Sequence, residues 1–260
     1  MSHVARTGAA VTLLVALAVA PAPAEASPCD VRHPSDERIA WACRRLRAGE
    51  TLEGLFAERW VDVARFNRID RRHARPGVAI KVPAHLEDLD AWSPLPAELP
   101  EHAALARMIL IDLSEQFLGA YEHGRLAFAV PATTGKRGNA TPAGTFRVAA
   151  ADRRHRSSRY TIARTRIPYP MHFGLRFLTT RRGVTFWIHG RDLPGRPASH
   201  GCVGLYDEAM QRQYYGQPAE PVLADAQRVH AWAIGPLAAA AHRVVVPEGP
   251  LVVIRGVAPR

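Results

Sequence analysis

Apolar residues change their spacing several times along the chain. Residues 9–20 (AAVTLLVALAVA) are one continuous apolar run, shorter than the roughly 20 apolar residues a membrane-spanning helix needs. From residue 45 to 84 the spacing is first helical and then alternating. Thr51 can cap a helix on which Leu52, Leu55, Phe56 and Trp60 recur, and Val63 and Phe66 predict a second short helix. Pro76-Gly77 then turns the chain into an alternating strand over residues 78–82. The pattern is strand, helix, helix, strand. Residues 86–106 contain Pro94, Pro96 and Pro100 and read as a semi-stiff linker ending in a short helix.

Beyond Arg107 strands dominate. Residues 108–135 give three short apolar runs broken at Ser114-Glu115 and His123-Gly124, and residues 141–152 give another strand. Residues 183–190 (GVTFWIHG) predict a strand leading directly to His189. Asp207 can start a helix through Tyr215, and an Ala-rich helical stretch follows over residues 222–241. A hairpin over residues 244–254, turned at Glu248-Gly249, closes the reading.

Composition adds an address. The 260 residues are 47% hydrophobic and 22% charged, which is ordinary globular composition. Arg6, the apolar run and Ala24-Glu25-Ala26 after two prolines form a secretory signal peptide over residues 1–26, so export to a periplasm or cell wall is expected. The net charge is +10, and Lys81 and Lys136 are the only lysines. The arginines are scattered and no nucleic-acid motif accompanies them, so an anionic envelope is the expected surrounding and nucleic acid is not. No later segment is apolar enough to span a membrane, and oligomeric state is left open.

Export also bears on the three cysteines. Unpaired thiols are liabilities outside the cytoplasm. Cys29 and Cys43 are close enough in sequence to pair, closing a loop that would contribute on the order of 3 kcal/mol. Cys202 is then the odd thiol, with pairing to either of the others as the alternative.

Cys202 lies in Ser199-His200-Gly201-Cys202, downstream of the strand-end His189 and a loop rich in Gly and Pro. A thiol at neutral pH is largely protonated, so a nucleophile here needs an imidazole, and His189 and His200 are both candidates. Gly201 allows the close main-chain approach that an oxyanion pocket requires. Zinc would need a fourth ligand beyond His189, His200 and Cys202, and the spacing fits no common zinc pattern. His123, His155 and His172 read as surface residues, Phe173, Phe177, Phe186 and Trp187 as core, and the arginine clusters as solvated surface.

These residues closely resemble the signature of the YkuD-type L,D-transpeptidases, in which a strand-borne IHG precedes [ST]-H-G-C. Residues 111–126, VPATTGKRGNATPAGTFRV and PYPMHFGLRF resemble further segments of that family in the same order. The resemblance implies a mainly β, sandwich-like catalytic domain over residues 107–260 with a few helices. It makes Cys202 the nucleophile and His189 its base, oriented by the carbonyl of Gly190. Ser199 and His200 would shape the pocket, and N–H groups around Gly201 and Cys202 would hold the oxyanion. The implied substrates are peptidoglycan stem peptides, with no cofactor and no metal. A thioester from a tetrapeptide donor would pass to an amine, forming a 3→3 cross-link or attaching a protein. An L,D-carboxypeptidase using the same thiol, and a degenerate wall-binding protein, are the alternatives.

Two positions depart from that pattern. The interval from His189 to Cys202 is a few residues short, and Gly204 stands where the family usually has arginine or asparagine. Arg191 and Arg196 are the candidates to bind substrate in its place. The chain between Tyr215 and Val244, including residues 216–243, is longer than the resemblance requires. Residues 27–85 resemble a LysM module, with AGETLEGLF, FNRID and RPGVAIKVP at its motif positions. That resemblance implies a small βααβ unit contacting glycan strands.

Overall fold

A computed structural model describes residues 26–240 and 242–259. All but the last residue of the expected signal peptide lies outside the described residues. No helix among the described residues is long and apolar enough to cross a membrane.

The N-terminal unit opens with two 3-10 turns and then forms β1 (Trp41–Arg45), α1 (Leu52–Phe56), α2 (Trp60–Phe66) and β2 (Ala79–Pro83). Thr51 caps α1, its hydroxyl accepting the Gly54 N–H at 3.1 Å. The chain breaks at Ala57 (φ +46°), so Trp60 begins α2 instead of ending the first helix. β1 and β2 pair antiparallel, with Cys43 opposite Lys81. Leu46, Leu52, Val63, Ala64, Ile69 and Ile80 form the core of the unit. Asn67 closes it: its amide donates to the carbonyls of Val63 and Lys81 and accepts the Lys81 N–H at 2.7 Å. Cys29 and Cys43 are joined by a disulfide, and Cys202 is a free thiol.

Residues 86–106 are not the tether their prolines predict. After α3 (Asp88–Ala91), Leu95 and Leu99 are buried with Met108, Leu110, Phe117 and Tyr121. The Leu99 N–H donates to Gly124 O, and Tyr121 Oη donates to Pro96 O. The proline-rich segment is a strap over the outer face of a sheet, because that face is apolar and needs a cover.

That sheet has the order β5-β4-β3-β14-β6, from β3 (Met108–Asp112), β4 (Phe117–Glu122), β5 (Arg125–Pro131), β6 (Gly144–Arg147) and β14 (Leu251–Arg255). β3 is buried along its whole length. Ile109 and Ile111 face the inner core while Met108 and Leu110 face the strap, which explains its continuous apolar run. The second sheet has the order β12-β11-β10-β7-β13, from β7 (Ala150–Asp152), β10 (Gly174–Thr179), β11 (Thr185–Arg191), β12 (Val203–Tyr206) and β13 (Val244–Val245). β8 (Arg156–Thr161) and β9 (Pro168–Pro170) form a separate two-stranded hairpin.

The two sheets pack as a sandwich around Ile109, Ile111, Leu118, Leu175, Ile188, Val203 and Val252. Asp207 caps α4 (Glu208–Tyr215), accepting the Met210 N–H at 3.0 Å. α5 (Asp225–Ile234), inside the long Tyr215–Val244 interval, adds Ala226, Val229 and Ala233 to the same core. Two local expectations fail. Residues 141–152 split into β6 and β7, which belong to different sheets. Residues 244–254 form no hairpin, because β13 pairs with β7 whereas β14 pairs parallel to β3. The chain crosses between layers there, with the Val246 N–H on Ala149 O and the Val148 N–H on Pro250 O.

The N-terminal unit is docked on the sandwich through buried polar contacts. Arg68 is 1% exposed and reaches Asp36 at 2.8 Å and Glu115 at 3.4 Å. Ser35 binds Glu115 through both its N–H and its hydroxyl, and Lys81 pairs with Asp36. Arg71 pairs with Glu208, Arg65 with Asp225 and Arg72 with Asp192. Arg71 and Arg72 are therefore ion-paired joints between the two parts and not the solvated surface their cluster suggests.

Candidate active site

β11 and β12 run parallel and adjacent, with Ile188 beside Val203 and His189 beside Gly204. Parallel neighbours need a crossover connection, and residues 192–202 supply a short one. Ile188 and Val203 point into the core. Alternation then turns His189 and Cys202 to the opposite face, at the junction of the two strands.

His189 is 3% exposed, and its Nδ1 lies 2.8 Å from Gly190 O. A carbonyl only accepts, so Nδ1 carries the proton and Nε2 keeps its lone pair. Burial pushes the imidazole down to about 3, partly offset by the Gly190 carbonyl. Burial also pushes the Cys202 thiol above its ordinary value, against a main-chain hydrogen bond from Trp187 and the charge of Arg191. Thiol and imidazole are thus both neutral at rest. Any attack by this sulfur would need a base to take its proton, because no thiolate is stored.

The turn before Cys202 is braced from two sides. Ser199 Oγ accepts the Gly201 N–H at 3.0 Å and donates to Cys202 O at 2.5 Å. Thr141 Oγ1 donates to Gly201 O at 2.9 Å and accepts the Gly135 N–H at 2.8 Å. The expected oxyanion pair is therefore corrected: the Gly201 N–H is already used. The Cys202 N–H has no acceptor among the described residues and points opposite to the Gly201 carbonyl that Thr141 holds. Gly201 has φ +114°, and a Cβ there would meet Phe186 at 2.6 Å. Phe186 is thus the floor of this turn.

Residues 133–136 run along the same turn. Thr133 exchanges both main-chain bonds with Gly204, and Ser199 lies between Thr134 O and the Lys136 N–H. The T-T-G and T-P segments converge on the thiol for this reason. His200 is exposed, and its ring stacks on Tyr160 at 4.3 Å. It is a rim residue and not the buried partner of Cys202.

The site has a second wall. The Gly190 N–H donates to His172 O at 2.7 Å, and a Cβ on Gly190 would meet Asp207 Oδ2 at 2.3 Å. Burial pushes Asp207 up to about 6, and its Oδ2 lies 3.9 Å from His172 Nδ1. His155 stacks on Trp187 at 3.9 Å. His155 and His172 are half-buried neighbours of the site, whereas His123 is exposed.

Arg191 fills the space that Gly204 leaves. A Cβ on Gly204 would lie 2.6 Å from Arg191 Cδ. The Arg191 guanidinium donates to Ala198 O at 3.1 Å, and its charge acts on both Cys202 and His189. Arg196 contributes its carbonyl, which accepts from Thr133 Oγ1 at 2.9 Å.

Sequence reasoning missed the clamp on the connecting loop. Asp70 Oδ2 accepts the Leu193 N–H at 2.6 Å and the Gln211 amide at 3.0 Å, and the Asp70 N–H donates to Leu193 O. Asp192 is gripped by Arg72 and by Tyr169 Oη at 2.7 Å. Burial opposes that charge, but Arg191, His73, Tyr169 and Arg72 outweigh it and hold Asp192 down to about 2.

Residues 106–219 match the YkuD family, described as the L,D-transpeptidase catalytic domain. Curated proteins give no match. Solved structures resembling the chain include an L,D-transpeptidase from Xylanimonas cellulosilytica (22% identity, 75% of this chain and 79% of that one, TM-score 0.44). Another is an L,D-transpeptidase from Stackebrandtia nassauensis (17% identity, 78% and 69%, TM-score 0.41). LdtMt1, solved in complex with imipenem, shares 18% identity over 58% of this chain with a TM-score of 0.37, and the match spans 59% of its length. Residues 106–219 of this chain are a catalytic domain of the YkuD L,D-transpeptidase family.

Proposed function

We propose that the protein is an exported L,D-transpeptidase acting in the periplasm or cell wall. Cys202 attacks the carbonyl of the third stem residue of a tetrapeptide donor while His189 Nε2 takes its proton. The scissile bond then breaks, and His189 returns that proton to the departing D-alanine amine. The thioester on Cys202 is attacked by the side-chain amine of a second stem, which releases the thiol and leaves a 3→3 cross-link. Attachment of a protein amine would follow the same steps. The Cys202 N–H faces the developing oxyanion.

The observation that supports this reading is the parallel pairing of β11 and β12, on which a tautomer-fixed imidazole and a free thiol share one face of two adjacent strands. The LysM-like unit would hold a glycan strand near that turn. Because it is docked, its benefit is a fixed orientation rather than a linker-set concentration.

The test is mass spectrometry of products from disaccharide-tetrapeptide with the chain and its Cys202→Ala variant. Cross-linked dimer and free D-alanine from the first protein alone support the proposal. Tripeptide monomer alone would make the protein an L,D-carboxypeptidase, and no product from either would remove the enzymatic reading.

A further inference from the structure

The arginines of this chain fall into two groups. Those at residues 59, 65, 68, 71 and 72 are each paired with a carboxylate. Those around the β8–β9 hairpin are not. Arg153, Arg154, Arg156, Arg159, Arg164 and Arg166 are all exposed, and none pairs with a carboxylate among the described residues. Between Asp152 and Asp192 the sequence contains no acidic residue. Six like charges on and just before one small hairpin repel each other, which opposes its folding.

The hairpin belongs to neither large sheet, yet it reaches the thiol. Tyr160 stacks on His200, two residues before Cys202, with the rings 19° from parallel. The charges of Lys136, Arg191 and Arg159 all act on His200. At the foot of the hairpin, Tyr169 donates to Asp192 in the catalytic loop and Arg156 donates to Tyr214 Oη at 3.4 Å. An anion held by this hairpin would therefore lie at the mouth of the site.

We infer that the β8–β9 hairpin is a receptor for the carboxylates of a polymeric acceptor strand, which rests on the transpeptidase reading above. Guanidinium groups pair with carboxylates in a two-pronged geometry, but one exposed pair contributes little. Several spaced arginines need a polymer with several carboxylates, so that each pair formed raises the local concentration for the next. Stem peptides on one glycan strand have that chemistry, since each carries a free carboxylate, and the reaction brings them to this rim.

The experiment is cosedimentation of the full-length Cys202→Ala protein with isolated wall sacculi, alongside the same protein carrying Arg154→Gln, Arg164→Gln and Arg166→Gln. We expect binding to weaken by about tenfold as NaCl rises from about 50 to about 300 mM, as screening of exposed pairs requires. The triple variant should bind at about one tenth of that level with little salt dependence. Sacculi whose carboxylates have been amidated should give the same loss, and sacculi stripped of phosphodiester polymers should bind normally.

Undiminished binding by the triple variant would overturn the inference, as would binding that survives amidation but not phosphate stripping. Iodoacetamide should alkylate Cys202 in an otherwise wild-type Arg154/Arg164/Arg166 variant at the parental rate, which separates a lost rim from an unfolded chain. Cross-linking by the parent with salt-insensitive binding would sink this inference alone. Salt-sensitive, carboxylate-dependent binding without any product would sink the transpeptidase reading alone.

Discussion

Asp70, in the N-terminal unit, and Leu193, in the catalytic loop, exchange two hydrogen bonds: Leu193 N–H to Asp70 Oδ2 at 2.6 Å and Asp70 N–H to Leu193 O at 2.8 Å. Residues 123 positions apart are thus joined at the loop that carries the chain from His189 to Cys202. A neighbouring bond runs from the Gly195 N–H to Arg68 O. The N-terminal unit is therefore tied directly to the loop that leads to Cys202 and is not a passenger on a linker.

Asp70→Ala should free that loop. Leaving the buried Leu193 N–H without an acceptor costs roughly 1–3 kcal/mol of stability. Because the loop sets the position of the thiol, kcat should fall by about 10- to 100-fold with little change in KM. Asp70→Asn keeps an acceptor oxygen and should recover most of the rate. Steady-state kinetics of both variants check this, and equal loss in both would contradict a positioning role.

Thr141→Val tests the brace on the Gly201 carbonyl. The substitution keeps shape but removes a hydroxyl that donates to Gly201 O and accepts from Gly135 N–H. The Gly201-Cys202 peptide would then be free to rotate, taking the Cys202 N–H out of line. We expect kcat to fall by about 10- to 100-fold while circular dichroism is unchanged. A variant of normal rate would show that the brace does not set the oxyanion donor.

Burial raises the Cys202 thiol and lowers His189 to about 3, so the resting pair is neutral. Alkylation by iodoacetamide should accelerate continuously from pH 6 to pH 9 as thiolate forms. A stored thiolate–imidazolium pair would instead give a plateau across that range. Stopped-time labelling followed by mass spectrometry distinguishes the two.

Stability should decline in acid. Burial pushes His33 and His189 down to about 3 and His230 down to about 4. The unfolded chain takes up these protons near pH 6.5, so the contribution is complete above that pH and is lost as pH falls toward the folded values. Asp207, raised by burial to about 6, works the other way between about pH 4 and pH 6 and softens the loss. Tm measured from pH 8 to pH 4 should fall below pH 6.5, and less steeply in His230→Leu. A flat profile would contradict the buried, neutral histidines.

Much of the candidate site was legible because its signals are local. His189 lies on the predicted strand, which runs on to Arg191; Thr51 and Asp207 cap their helices; and the glycine-flanked thiol stands out in a chain of three cysteines. What was not legible depends on distant partners. Nothing near Asp70 announces Leu193, and nothing near Arg71 announces Glu208. The strap at residues 86–106 looks like a linker until the apolar outer face of β3 and β4 needs covering. The division of residues 141–152 and 244–254 between two sheets follows from pairing with β3 and β10, which no period within either segment encodes.

The central claim is that Cys202 forms the acyl-enzyme with His189 as its base. The most direct measurement is the intact mass of the protein after incubation with a tetrapeptide donor and no acceptor, with the adduct located by peptide mapping. The account predicts a tripeptidyl adduct on the Cys202 peptide, absent in Cys202→Ala and formed at least about 100-fold more slowly in His189→Asn. An adduct that persists in Cys202→Ala, or that forms at full rate in His189→Asn, would contradict it.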